Sequence, residues 1–318
     1  MAPKKLARAR KRNGKRRIPT KSQVRLPLVT DHENRLFKLI TDPCSAELTT
    51  GYALSTEGIV QRFNRFITPA ATTETNFAYL FNPLNHGTDA ITQKLSIGTG
   101  APTNISSNAP GETFLDANAD QVSTVAACME VLYTGKLVDR KGYIGVCQAP
   151  WYVMDDIKNG NTDLPTLLAY CQAIQPVGSE AVEIKYTPTL RNMIGSISAG
   201  ENNVGTDNVL MVVAIGVDPN QFVVKFTAVY EYVPKFALGL PAPRATKSYP
   251  TGAPERIVTT LDRMGHWWHN VGSAAAAAYR LGGNMVYAAG QGARLASATI
   301  GTARALRAAA VPLLALTG

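Results

Sequence analysis

The chain has 318 residues, 45% of them hydrophobic and 17% charged, enough apolar material for a substantial core, which excludes wholesale disorder. Its formal net charge is +9, and the first 25 residues alone hold eleven Lys and Arg with no Asp or Glu, leaving −2 for everything after them. No run of eighteen apolar residues indicates a conventional membrane span, and no apolar stretch follows the basic N-terminus as a secretory signal requires.

Residues 1–30 read as a disordered basic arm, because they hold few large apolar groups to offset the entropy of ordering. The charges are Lys4, Lys5, Arg8, Arg10, Lys11, Arg12, Lys15, Arg16, Arg17, Lys21 and Arg25. Lys and Arg neutralise phosphates and release condensed counterions, so this pattern points to sequence-independent, salt-sensitive nucleic-acid binding. Arg also forks onto phosphate oxygens. The arm has no aromatic residue, which excludes base stacking there.

Residues 31–245 read as one all-β domain. Runs rich in Val, Ile, Tyr, Phe and Thr fall between Gly, Pro, Asn and Asp clusters. The expected strands are 59–68, 75–81, 122–133, 143–148, 182–187, 209–217 and 222–233. In the last of these, Val223, Lys225, Thr227, Val229, Glu231 and Val233 alternate with Val224, Phe226, Ala228, Tyr230 and Tyr232, a period of two with an apolar face. Asp218-Pro219-Asn220 suits a bend, so 209–217 and 222–233 are expected to be neighbouring antiparallel strands. Val131 and Val229 are expected to face the core, with Lys136, Asp139 and Lys141 in a loop. Leu164, Leu167, Leu168 and Cys171 recur at helical spacing and predict a helical insertion over 163–172. Many short strands with one or two inserted helices suggest a sandwich or jelly roll.

Residues 246–318 change character. Ile257, Leu261, Met264, Trp268 and Val271 keep a helical interval behind Pro254, and no acidic residue follows Asp262. Further on, Arg294, Arg304 and Arg307 lie broadly opposite Leu295, Leu306 and Leu313 on a helical wheel. Such a face suits either the inside of an assembly, against RNA, or an anionic bilayer surface.

Cys44, Cys128, Cys147 and Cys171 are 84, 19 and 24 residues apart, which gives neither a zinc ribbon nor a CxxC redox motif. Free thiols of cytosolic type are expected, with Cys128 and Cys147 acting as small buried hydrophobes. Asp155 and Asp156, with Asp163 nearby, offer hard oxygen ligands for calcium, although a plain acidic loop accounts for them as well. Asp262, His266 and His269 share a helix face without a fourth metal ligand. No GxSxG, GxxxxGK[ST], HExxH or complete GxGxxG occurs, and only His32 and His86 lie outside the C-terminal region. No catalytic residue and no cofactor are expected.

Three stretches carry a family likeness. DPCSAELTTGYALSTEGIVQRF (42–63) resembles the opening segment of nodavirus-like and tombusvirus-like coat proteins, where a DPC-type element precedes a Gly-x-x-x-Arg-Phe strand. VSTVAACMEVLYTGKLVDRKGYIGVCQAP (122–150) is similar to their paired core strands, and VYEYVP (229–234) to their last shell-domain strand. With the arm, the likeness covers residues 1 to about 240. It implies an eight-stranded jelly-roll sandwich that tiles a closed icosahedral shell of many copies of itself, T=3 in form, with the arm turned inward to genomic single-stranded RNA. It also implies a location in the virion after synthesis in the host cytoplasm, and calcium between subunits. The stretch after residue 245 is too short for a protruding β domain of the tombusvirus kind. It is more like the internal, membrane-active helical segment of nodaviruses, which brings a host membrane in as a further partner. Some relatives cleave themselves after an Asn; Asn270 and Asn284 are the positions here, and neither precedes the Ala usual for that family. A cellular RNA-binding protein with a β-sandwich body, for example a ribosome-associated one, stands as the alternative reading.

Overall fold

Strands rich in β-branched and aromatic residues build two antiparallel sheets, and the fold is all-β with a few short helices. A computed structural model describes residues 30–56, 58–69, 75–95, 98–99, 106–171, 173–178, 180–194, 197–198, 208–235 and 246–264. The first sheet runs β1 (Ile59–Ile67), β11 (Phe222–Pro234), β5 (Ala119–Tyr133) and β8 (Val182–Lys185), with β9 (Ile197–Ser198) pairing β5 as a fifth strand. The second has six strands: β4 (Ser106–Ser107), β3 (Ile91–Lys94), β2 (Asn76–Phe81), β10 (Asn208–Ile215), β6 (Tyr143–Pro150) and β7 (Ala173–Pro176).

The expected hairpin between β10 and β11 does not form. β10 pairs β2 and β6, whereas β11 pairs β1 and β5. The intervening bend, capped by the Asp218 carboxylate accepting from Asn220 N at 3.1 Å, is a corner that carries the chain from one sheet to the other. The turn chemistry was legible; the sheet that the next strand joins was not.

The sheets meet through alternate side chains. Val224, Phe226, Ala228, Tyr230 and Tyr232 of β11 face Phe77, Tyr79 and Phe81 of β2 and Leu210, Val212 and Ala214 of β10. Phe226 meets Tyr79 and Phe81 edge-on, with ring centroids 5.7 and 5.6 Å away, and Phe222 meets Phe77 at 5.4 Å. Fully buried side chains of this kind each contribute roughly 1.5–3 kcal/mol.

Each sheet is also covered on its outer face. On the six-stranded sheet, α3 (Tyr152–Lys158) and α4 (Leu164–Tyr170) set Val153, Met154, Ile157, Leu164 and Leu167 against Ala78, Leu80, Met211 and Val213. The helix expected over 163–172 is α4, and Asp163 caps it by accepting from Thr166 N at 2.8 Å. On the five-stranded sheet lie α1 (Asp31–Thr41) and α6 (Ala253–Met264). Two smaller helices, α2 (Glu112–Asn118) and α5 (Leu190–Ile194), complete the set among the described residues. Val131 faces the space between the sheets, while Val229, equally buried, faces the other way, under α1 and α6.

Candidate nucleic-acid interface

The layer outside the five-stranded sheet is where both cationic ends of the chain attach, and its construction begins with a bulge. Across β5 and β11, Ala126 opposes Val229 and Thr124 opposes Tyr230, so Val125 is an extra residue. The bulge turns Val125 and Ala126 together toward the helices. Leu36, Phe37, Leu39 and Ile40 of α1 and Ile257 and Leu261 of α6 close over them and Val229.

Two buried carboxylates fix this layer. Glu33 is 0% exposed. Its Oε2 accepts from Thr30 N at 3.3 Å while Thr30 Oγ1 accepts from Glu33 N at 3.2 Å, a capping box that starts α1. Its other oxygen accepts from Arg256 Nε at 3.2 Å and from Nη2, which ties α1 to α6. Glu231, also 0% exposed, accepts from Gly51 N at 2.9 Å, from Gly58 N at 3.1 Å and from Lys247 Nζ. Gly58 is required here because a Cβ would lie 2.8 Å from Tyr232 O. Glu231 thus holds the segment leading into β1 and the segment leading into α6 at one point. Lys247 N donates to Ser55 O at 2.9 Å beside it.

The rest of this face is polar. Lys225 pairs Glu130 at 2.6 Å, Lys185 pairs Glu183 at 3.2 Å, and Thr227 donates to Asn64 Oδ1 at 2.8 Å. Arg62 donates to Ala46 O, and partial burial lowers its pKa from the ordinary guanidinium value while Asp42 opposes that shift. Burial likewise raises the Glu183 carboxyl, with Lys185 pulling it back. Arg35 and Lys38 of α1 and Arg263 of α6 are exposed.

Among the described residues this layer begins at Thr30 and ends at Met264. The eleven arm residues from Lys4 to Arg25 lie outside the described residues, as do Arg294, Leu295, Arg304, Leu306, Arg307, Leu313, His266, His269, Asn270 and Asn284. The segments that hold them, 1–29 and 265–318, together carry fifteen Lys and Arg and no acid, against 17 Lys and Arg and 23 Asp and Glu in between.

Asp155 and Asp156 sit on α3, on the opposite side of the sandwich, half-exposed. Asp163 is committed to its cap, and hydrogen bonding from Thr166 holds its carboxyl below the usual range. His32 contacts Tyr52 Oη at 3.2 Å and Thr50 O at 3.0 Å, and His86 is buried against Thr124. The expectation of free thiols needs correction. Cys44, in the turn after α1, forms a disulfide with Cys128 of β5. Cys147 and Cys171 are free, Cys147 being buried. Sequence spacing could not reveal a pairing across 84 residues. The Thr30–Glu33 box was readable as T-x-x-E, and Glu231, a charge amid apolar strand positions, was a visible anomaly.

No family model matches the chain, and no curated protein matches it. Solved virus structures are similar. Infectious bursal disease virus Gx strain is 9% identical over 77% of this chain and 97% of that chain, with a TM-score of 0.49. The D431N mutant VP2 protein of infectious bursal disease virus, in derived T=1 particles, is 10% identical over 75% and 92%, with a TM-score of 0.40. Empty-head turnip yellow mosaic virus is 9% identical over 60% and 90%, with a TM-score of 0.36. Likenesses at this level assign no family.

Proposed function

We propose that the chain is the coat protein of a small, non-enveloped icosahedral virus with a positive-strand RNA genome, of the nodavirus-like or tombusvirus-like kind. The distribution of charge over the fold carries this reading. A two-sheet body with more acid than base has two acid-free cationic ends, both attached through one helical layer on one face. A shell subunit needs that polarity, with one side toward polyanionic RNA and the other toward solvent.

The strand order supports a jelly roll. Eight strands, β1-β11-β5-β8 and β2-β10-β6-β7, form two facing sheets, and most connections cross from one sheet to the other, with β3, β4 and β9 as additions. In this reading many copies self-assemble into a T=3 virion after synthesis in the host cytoplasm, and Lys4 to Arg25 bind packaged single-stranded RNA. The chain works without a catalytic residue, and Asp155 and Asp156 meet calcium where subunits use it. Arg294, Arg304 and Arg307, with Leu295, Leu306 and Leu313, serve RNA inside the shell and a host membrane surface once released.

The test is deletion of residues 1–25. The truncated chain is expected to keep its circular dichroism spectrum and lose most nuclease-protected RNA from particles seen by negative-stain microscopy. Binding of the isolated arm to RNA is expected to weaken by ~10³-fold between 50 and 200 mM salt. Unchanged RNA content in the truncated particles, or a full-length chain that stays monomeric with RNA, overturns the reading.

A further inference from the structure

Beside the disulfide stands a third potential metal ligand, the Glu183 carboxylate, one oxygen of which is buried without a partner. Cys44 Sγ, Cys128 Sγ and a Glu183 carboxylate oxygen all lie within 4.8 Å of one another, the one group of its kind among the described residues. They come from three separate places: the turn after α1, the middle of β5, and the edge strand β8. We propose that in the reduced protein these three residues hold a thiophilic divalent cation of the Zn(II) class, with water in the fourth position. The inference is independent of the coat-protein reading.

Three observations support it. The Cα atoms of Cys44 and Cys128 are 7.0 Å apart, at the far limit of what a disulfide spans. Two thiolates sharing a tetrahedral ion at Zn–S distances of about 2.3 Å sit about 3.8 Å apart, which that backbone separation accommodates. Glu183 Oε1 is buried without a hydrogen-bond partner, while Lys185 takes the other oxygen at 3.2 Å. A buried acceptor left unpaired is costly, and a cation satisfies it. Around the sulfurs the site is polar rather than a plain apolar thiol pocket, with Thr227 Oγ1 3.6 Å from Cys44 Sγ.

The ion needs both sulfurs as thiolates, so its binding releases two protons and excludes the disulfide. Either state ties the segment after α1 to the central strand β5. The ion does so under reducing conditions, where a disulfide does not persist.

The test uses the full chain purified with a reductant. Expected are equimolar Zn(II) by elemental analysis and, on Co(II) substitution, near-ultraviolet thiolate-to-metal charge-transfer absorption. Cys44→Ser and Cys128→Ser are each expected to abolish that absorption. Glu183→Gln keeps both thiols and is expected to weaken Co(II) binding by about tenfold, while the disulfide still forms on oxidation, which reports an intact fold. The proposal is overturned if reduced wild-type protein gives no charge-transfer band with Co(II), or if the serine variants retain Zn(II) like wild type. Recovery of the Cys44–Cys128 disulfide from reductant-treated protein also overturns it.

Discussion

The two sheets are covered by unlike means. The six-stranded sheet is covered by one contiguous insert between β6 and β7, which docks through Val153, Met154, Ile157, Leu164 and Leu167. The five-stranded sheet is covered by segments from opposite ends of the described chain. Glu33 and Arg256 meet across 223 residues, and Gly51 and Glu231 across 180. An insert that starts and finishes beside its own sheet closes a short loop, and non-directional apolar contact is enough to seat it. Segments arriving from far apart need directional anchors, and here these are two fully buried carboxylates with their cations. Buried ion pairs are weak sources of net stability but expensive to break singly. A layer fastened at points is therefore sensitive at those points, and it is the layer to which both cationic ends are joined.

The largest expected effect tests the fastened layer. Glu231→Ala removes the acceptor of Gly51 N, Gly58 N and Lys247 Nζ and leaves that buried ammonium with Gly51 O at 3.1 Å but without its carboxylate. The expected loss is ~3–5 kcal/mol by urea unfolding, with new protease cleavage between residues 42 and 58 before global unfolding. The insert is expected to answer differently. Ile157→Ala opens a cavity under α3 and costs about 3 kcal/mol, with no new cleavage in 42–58. Identical cleavage patterns in the two variants would break the comparison.

How much of this was legible follows from which interactions are local. Runs of β-branched and aromatic residues between turn clusters located the long strands: β1, β2, β5, β6, β10 and β11 fall within a few residues of expectation. The helical spacing of Leu164, Leu167, Leu168 and Cys171 gave α4. The first helix was missed although its Thr30–Glu33 box lies in four consecutive residues, because the arm beside it dominated the composition. The partner of β10 was misread because a corner and a hairpin use the same turn residues, and only tertiary packing chooses between them. Val229 and Val131 were both placed as buried, yet alternation alone could not tell that a second apolar layer waits on the outer side. The disulfide and the Glu33–Arg256 pair depend on contacts across 84 and 223 residues, and nothing local encodes them.

The smallest expected effect comes from neither cover but from the seam between the sheets, where His86 gives the core a dependence on pH. His86 is 3% exposed, its ring edge-on to Tyr230 at 5.0 Å. Thr124 donates its hydroxyl proton to Pro83 O at 2.7 Å, so Thr124 Oγ1 can only accept from His86 Nε2 at 2.8 Å. That network assigns the proton to Nε2 and leaves Nδ1 buried without a partner. Protonation would add a charge at an atom with no acceptor, and burial pushes the pKa down from 6.5 to about 3. The unfolded chain therefore binds a proton that the folded one refuses between those values. The contribution to stability is fully present above about pH 6.5 and is lost progressively as pH falls toward 3. From pH 7.5 to 5.5 the loss from this residue is about 1.4 kcal/mol. His86→Gln, which can still donate to Thr124, is expected to flatten the curve of urea-unfolding free energy against pH by that amount over the same range. Parallel curves for the variant and the wild type would show that the seam stays indifferent to protons and that the dependence arises elsewhere.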